Sequence, residues 1–365
     1  MANSAYAASG VDTEAGDRAV QLMRAAISRT HGPEVIGGFG GFAGLFDASE
    51  IRKYRNPVLA TSTDGVGTKV AIAQAIDKHD TVGQDLVAMV IDDIVVCGAK
   101  TIFMTDYIAC GKLVPERIAE IVGGISASCE IQQVALLGGE TAEHPGLMAV
   151  DDYDLAGAAV GVVERELLLS GKKIQPGDTA IGIAASGLHA NGFSLVRKII
   201  TDRKLDYRSQ VPEFPNLSIG EQLLVPTEVY SRSLLTLLSN PAIAGEIRAL
   251  SHITGGGISD NISRVLPDWA LLNIERASWS PPAVFRVLAD WGGIHLSDVE
   301  GTWNLGLGFV VFCSASGAPA VQAELAAMGL DNWLLGEIEV AKTPNRELSK
   351  GSVGGRAELT GKFPI

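Results

Sequence analysis

"ATSTDGVGTKV", Ala60 to Val70, is the stretch on which the reading of this 365-residue chain turns. It starts like a strand, breaks at Asp64-Gly65, and ends on Lys69-Val70. Gly65, Gly67, Thr68 and Lys69 are the residue types of a phosphate-binding loop, but not in the common order. A Walker loop needs G-x-x-x-x-G-K-[ST]. Here no glycine precedes Lys69 directly, and the Gly-Lys pairs at Lys112 and Lys172 lack the glycine five residues earlier. The chain therefore has no P-loop. What remains is a strand that delivers Asp64 beside flexible backbone, with Lys69 close behind. Such a carboxylate can hold Mg²⁺, which favours carboxylate and phosphate oxygens. A plain Asp-Gly turn with a solvated lysine fits the segment equally well.

Two further segments bear on that choice. In "GQDLVAMVIDDIVVCGA" a helix is expected, with Leu86, Met89, Val90 and Asp93 on one face. Asp92 and Asp93 interrupt an almost wholly apolar run, and adjacent helical positions point about 100° apart, so both cannot easily reach solvent. A buried unpaired carboxylate is costly, which makes Asp93 a candidate metal ligand. In "LLGGETAEHPG" a strand ends in Gly138-Gly139 and then supplies Glu140. Asp64, Asp93 and Glu140 form a candidate Mg²⁺ cluster. His144, which follows, reads more simply as a hydrogen-bonded surface residue.

"GGFGGFAG", with Gly37, Gly38, Gly40 and Gly41, follows no recognised strand and opens no helix, so it fails the dinucleotide context. It is either a glycine cover over phosphates or a connector. In the second half, "ASGLHANGFSLV" places His189 and Asn191 in a loop, and "SHITGGGISDN" places Thr254, Gly255, Gly256 and Gly257 before a helix. Backbone N–H groups at such positions suit a phosphate, and His189 suits proton handling near neutral pH.

Composition narrows the class. Net charge is −13 with no long basic run, which argues against broad nucleic-acid binding. No N-terminal signal peptide and no membrane span are expected. The four cysteines make no C-x-x-C pair, and Cys97, Cys110 and Cys313 sit in apolar contexts, the pattern of a reduced, cytoplasmic protein. Apolar residues at 47% support sizeable cores. Strand and helix patterns divide into an arm (1–17), an N-terminal domain (18–169), a C-terminal domain (170–345) and a polar, loose tail (346–365). Within the second domain, 202–220 reads as an excursion. Neither half alternates like a Rossmann domain, so a two-domain mixed α+β architecture is expected.

Taken in order, "GVDTEAG", "PEVIGGFGGFAGLF", "STDGVGTKV", "HDTVGQDLVAMVIDDIVVCGA", "DYIACGKL", "LLGGETAEHPG", "SGLHANGFSLVRKI", "HITGGGISDNISRVLP", "TWNLGLG" and "WLLGEIE" resemble the phosphoribosylformylglycinamidine cyclo-ligases, or AIR synthetases. The resemblance spans nearly the whole chain. It implies a homodimer, formed through the N-terminal domain, that uses ATP and Mg²⁺ to close the imidazole ring of formylglycinamidine ribonucleotide in purine biosynthesis. It further implies that Asp64, Asp93 and Glu140 hold Mg²⁺–ATP and that Lys69 faces phosphate. Gly37 to Gly41 would cover the nucleotide, with Gly65, Thr68, Gly138 and Gly139 beside it. His189, Asn191 and Thr254 to Gly257 would meet the substrate. Asp64, Lys69 and His189 are the expected catalytic set.

The chain departs from the resemblance at three places. Many relatives have Asn-Asp at Asp92-Asp93, methionine at His144 and arginine at Glu228. Sister families fit less well. Selenophosphate synthetase needs a reactive cysteine or selenocysteine near the N-terminus, whereas the first cysteine here is Cys97. The hydrogenase-maturation relative ends in a cysteine, whereas this chain ends "KFPI".

Overall fold

The computed structural model describes residues 13–38, 41–342 and 351–364. The chain divides into two compact units. The first takes residues up to Ile94, Ala99–Glu166 and Tyr207–Val229; the second takes Val95–Gly98, Leu167–Asp206 and Tyr230 onward. The excursion read into the second half thus packs largely on the first unit, which a linear reading of domains does not reveal.

The first unit is built on four strands, β1 (Pro57–Gly65), β2 (Lys100–Cys110), β3 (Ala135–Glu143) and β4 (Tyr153–Glu164), in the order β1-β4-β2-β3. β4 is antiparallel to both β1 and β2, while β2 and β3 run parallel. The parallel pair needs a crossover. Helix α4 (Pro115–Gln132) supplies it, started by Pro115 in its first turn and ended by Gln133 in the left-handed region at φ 57°. Before it come α1 (Thr13–Arg29), α2 (Val70–Ile76) and α3 (Val82–Val95). α1 begins inside the expected arm, five residues before Arg18, and lies along α4 with ion pairs from Arg18 to Glu116 and from Arg29 to Glu130.

α3 is buried on nearly every side, from Leu86 through Asp92, because one face covers the sheet. Leu86 packs over Gly157 and Ile94 over Gly161. Each such fully buried aliphatic side chain stabilises the unit by about 1.5–3 kcal/mol. The opposite sheet face carries no such cover at Leu59 and Tyr107, both exposed.

The second unit holds a six-stranded mixed sheet. Its strands are β5 (Thr179–Ala184), β6 (Ile247–His252), β7 (Ala270–Glu275), β8 (Leu307–Cys313), β9 (Asn332–Val340) and β10 (Arg356–Thr360), ordered β6-β8-β5-β9-β7-β10. β8 is buried at every residue and antiparallel to both neighbours. Ile181, Ile183, Tyr230, Leu234, Phe309 and Val311 form the centre of the core. The mixed α+β expectation holds in both units. The tail is not loose throughout: Arg356 to Thr360 pairs in parallel with β7, and Phe363 meets Trp279 edge-on at 5.3 Å. Composition hid this strand because only Ala357 within it is buried.

Candidate functional site

In the first unit the structure brings together two glycine segments a hundred residues apart. Val35–Ile36 pairs with Leu45–Phe46 in a short ribbon, and the described glycines Gly37, Gly38, Gly41 and Gly44 lie between these two strands. The loop therefore does follow a strand, one too short to read from sequence. It lies against β3, where a Cβ on Gly44 would fall 2.5 Å from the Leu137 carbonyl oxygen. Gly38 and Gly41 join Gly138, Gly139, Glu140 and Thr141 around a cavity of about 550 Å³. Gly40 lies outside the described residues. α1 and α4 add apolar side chains to the wall, with Val20, Met23, Ile27 and Val122.

Asp106, which the sequence reading passed over, also lines this cavity. It stands directly opposite Gly139 in the β2–β3 register. Burial pushes its carboxyl up to about 7. A carboxylate at mid-strand gives no sequence signal beyond its interruption of "TIFMTDYIA".

The three candidate metal ligands are not gathered at one point. Asp64 ends β1, one edge of the sheet, and Glu140 lies on β3, the other edge. Three strand spacings separate these edges, about 14 Å. Asp93 is exposed on α3 while its neighbour Asp92 is the buried one, which reverses the expected assignment. Among the described residues no group of three His, Cys, Asp or Glu side chains is placed to hold a metal ion. Asp64 is exposed, and its Oδ1 accepts from the Gly65 N–H at 2.7 Å. Thr68 and Glu140 are exposed and Gly65 is half-buried.

Lys69 is a correction. Its side chain is 0% exposed, and its Nζ donates to Asp85 Oδ1 at 2.8 Å and to the Val225 carbonyl at 2.8 Å. The same Asp85 oxygen accepts from the Thr227 N–H at 2.8 Å and the Thr227 hydroxyl at 2.5 Å. Burial pushes the Lys69 amine down and the Asp85 carboxyl up, each opposed by the other's charge. The lysine thus holds the 225–227 segment to the first unit instead of facing a phosphate. Its partner, 16 residues on, is a second buried acid of α3, beside Asp92, that the sequence reading did not weigh.

In the second unit, His189 is fully buried at φ 60°. Its Nε2 accepts from the Ser186 N–H at 3.3 Å, and its ring lies 6.1 Å from that of Tyr230. It sits beneath β8, where a Cβ on Gly308 would fall 2.9 Å from its Cε1. The expected open proton-handling position is not what the fold supplies. Asn191 is half-buried and does approach the glycine loop, its Oδ1 lying 3.3 Å from where a Cβ of Gly255 would stand. That loop precedes α8 (Gly257–Ser263), the helices between α4 and it being α5 (Phe193–Asp202), α6 (Ile219–Leu223) and α7 (Ser231–Ser239). Asn261, missed earlier, ties the loop: its Nδ2 donates to the carbonyls of Thr254, Gly255 and Gly257 at 3.1, 3.3 and 2.7 Å. Gly257, at φ 71°, could carry no side chain, since a Cβ would meet the Glu300 carbonyl oxygen at 1.7 Å.

Residues 47–163 match the family described as AIR synthase related protein, N-terminal domain, and residues 175–348 match its C-terminal domain. A phosphoribosylformylglycinamidine cyclo-ligase of Desulfitobacterium hafniense (strain DSM 10664 / DCB-2) is 46% identical over 333 residues, 91% of this chain and 96% of that protein. The chain belongs to the phosphoribosylformylglycinamidine cyclo-ligase family. Members from Lachnospira eligens and Shouchella clausii are each 44% identical, covering 92% and 96% of this chain and 98% and 99% of theirs. The fold is shared more widely. Thiamine-monophosphate kinase from Stenotrophomonas maltophilia superposes with a TM-score of 0.66 at 16% identity, covering 94% of this chain and 96% of its own. The hydrogenase maturation protein HypE from E. coli gives 0.62 at 16% identity over 94% and 93%.

Within this cyclo-ligase family member, two of the departing residues have local explanations. His144 is held by its Nε2 on the Tyr107 hydroxyl at 3.1 Å and by its N–H on the Cys110 carbonyl at 2.8 Å. Glu228 follows Thr227 in the segment that Lys69 and Asp85 hold down, and burial raises its carboxyl.

Proposed function

We propose that this cyclo-ligase closes the imidazole ring of formylglycinamidine ribonucleotide, using ATP and releasing ADP, phosphate and aminoimidazole ribonucleotide. The γ-phosphoryl group passes to the formyl oxygen of the substrate. The amidine nitrogen then attacks that carbon, and the carbon–oxygen bond breaks as phosphate leaves. Such chemistry gains chiefly from positioning and from stabilising the moving phosphoryl charge. The observation that carries the nucleotide reading is the cavity that joins Gly38 and Gly41 to Gly138–Glu140. Gly37 to Gly41 would lie over the phosphates, and the backbone at Gly138 and Gly139 would contact them. HypE, whose fold this chain shares at a TM-score of 0.58, has been solved in complex with ATP.

Mg²⁺ belongs to this reading as the ion that neutralises the phosphates, but Asp64, Asp93 and Glu140 of one chain do not fit a single centre. Mg²⁺ commonly takes one or two carboxylates together with phosphate oxygens and waters. Glu140, in the cavity wall, suits that role, and Asp64 would serve at the opposite sheet edge. The substrate would meet Asn191 and the Thr254–Gly257 loop. We further infer a homodimer, supported by Leu59 and Tyr107 standing exposed on the sheet face opposite α3, and a cytoplasmic location. Among the described residues no helix is long and apolar enough to cross a membrane. The test incubates the purified protein with formylglycinamidine ribonucleotide and Mg²⁺–ATP and follows ADP and aminoimidazole ribonucleotide. Absence of substrate-dependent ADP release would sink the reading.

A further inference from the structure

Two loops of the second unit, 187–192 and 254–257, are the ones the substrate would meet. They come from different parts of the chain, yet one five-residue segment, 300–304, touches both.

Its contact with the 254–257 loop is made by the backbone of Glu300. The Glu300 carbonyl accepts from the Ile258 N–H at 3.0 Å, in the first turn of α8. Gly257 passes so close to the same carbonyl oxygen that a Cβ there would fall 1.7 Å from it.

The contact with the 187–192 loop is made by Trp303 and Asn304, which are 0% and 3% exposed. Asn304 Nδ2 donates to the Gly187 carbonyl at 2.9 Å, and its Oδ1 accepts from the Gly306 N–H at 2.9 Å. The Gly306 carbonyl in turn accepts from the Ala185 N–H at 2.8 Å. Trp303 Nε1 donates to the Gly192 carbonyl at 3.4 Å. Gly192, at φ 75°, lies so near the indole that a Cβ would fall 2.4 Å from Cδ1. A buried amide that spends both ends on backbone is held firmly, because a missing partner would leave a polar group buried and unpaired.

The segment is itself tied down. Arg276 Nε donates to Glu300 Oε1 at 2.6 Å and Nη2 to Oε2 at 2.9 Å, a two-bond fork that fixes orientation as well as distance. Its remaining nitrogen, Nη1, donates to the Gly361 carbonyl at 3.2 Å, and the guanidinium carbon lies 6.0 Å from the Phe363 ring. The end of the chain and Glu300 therefore share one arginine.

We propose that segment 300–304 is a brace that keeps the two substrate loops in register, with Asn304 and Arg276 as its positioning residues. The inference rests on the substrate reading of those loops. Asn304 acts through Gly187, and Arg276 acts through the Glu300 carbonyl beside Gly257. Neither side chain needs to touch the substrate. Loosening either one lets the two loops shift against each other, and a misplacement of about 1 Å can cost on the order of 100-fold in efficiency.

The test combines steady-state kinetics with hydrogen–deuterium exchange on full-length native protein, Asn304→Leu, Arg276→Met and Arg276→Lys. Asn304→Leu and Arg276→Met should raise KM for formylglycinamidine ribonucleotide by about 10-fold or more and leave KM for ATP within about 2-fold. Peptides covering 185–192 should exchange faster in Asn304→Leu, and those covering 254–258 in Arg276→Met, while β9 stays as protected as in native protein. Arg276→Lys keeps the charge but not the fork, so its substrate KM should fall between native and Arg276→Met. Arg276→Met serves if the leucine variant fails to fold, because the arginine is partly exposed. A loss confined to kcat with both KM values native is the mark of fewer folded molecules and would overturn the inference. Faster exchange throughout the unit, or loosened loops with an unchanged substrate KM, would overturn it as well. A native protein that binds ATP but shows no substrate-dependent ADP release overturns the substrate reading, and the inference with it.

Discussion

Replacing Lys69 by methionine separates the two roles this lysine could have. In the structure it is a fully buried cation on Asp85, whose Oδ1 also takes both Thr227 donors while its Oδ2 has no hydrogen-bond partner. Methionine fills much of the same volume but leaves Asp85 without its counter-charge. Removing one member of a buried pair costs about 3–5 kcal/mol. For a unit of this size each kcal/mol shifts Tm by about 2–4 °C, so the expected drop is about 6–20 °C. The pH dependence has a definite sign. Without the lysine, burial raises the folded-state pKa of Asp85 further, so the folded state holds a proton the unfolded chain releases. The variant is therefore most stable at low pH and loses stability as pH rises through that raised value. The deficit against native protein should shrink between pH 8 and pH 5. Lys69→Met/Asp85→Asn should recover part of the loss, because no unpaired charge remains. Differential scanning calorimetry over that pH range is the assay. A Lys69→Met protein that melts within about 1 °C of native while losing nucleotide affinity would refute the argument and restore the lysine to the phosphates.

Three further outcomes follow from the same geometry. Asp64→Asn should lose most ring-closing activity with its melting temperature unchanged, because Asp64 is an exposed strand-end residue; near-normal turnover would remove it from the nucleotide site. Ending the chain before Gly351 removes β10 and Phe363, uncovers Trp279 and leaves β7 as an unprotected edge; the second unit should melt lower by about 5 °C or more, and unchanged melting would contradict the pairing. A thiol reagent should react with Cys97 well before the other three in native protein, because Cys110, Cys129 and Cys313 are buried and burial raises their pKa values, with Cys110 at about 11. Rapid labelling of all four in the folded state would count against the packing.

Much of this protein can be read along the chain. "VALLGGE", "LAGAAVGVVE" and "TIFMTDYIA" announce strands through small and β-branched residues, and their order with Pro115 and the α3 run is enough for a mixed α+β fold. The motif series from "GVDTEAG" to "WLLGEIE" is enough for the family, since motif order survives in one dimension. Pairing and direction do not. Sheet order placed Asp64 and Glu140 on opposite edges, which no spacing in sequence could reveal. One residue's rotation on α3, about 100°, decided that Asp92 is buried and Asp93 exposed, because a helix covered on nearly all sides has little periodicity to betray its open position. Lys69 in "ATSTDGVGTKV" has the residue type of a phosphate clamp, but the acid that claims it lies on the next helix but one and the carbonyl that claims it lies 156 residues away. Asp106 joined the cavity wall only when β2 and β3 set it against Gly139. Residue type is a local property; the neighbours that fix a charge's energy, and with it the group's role, exist only after the chain has closed on itself.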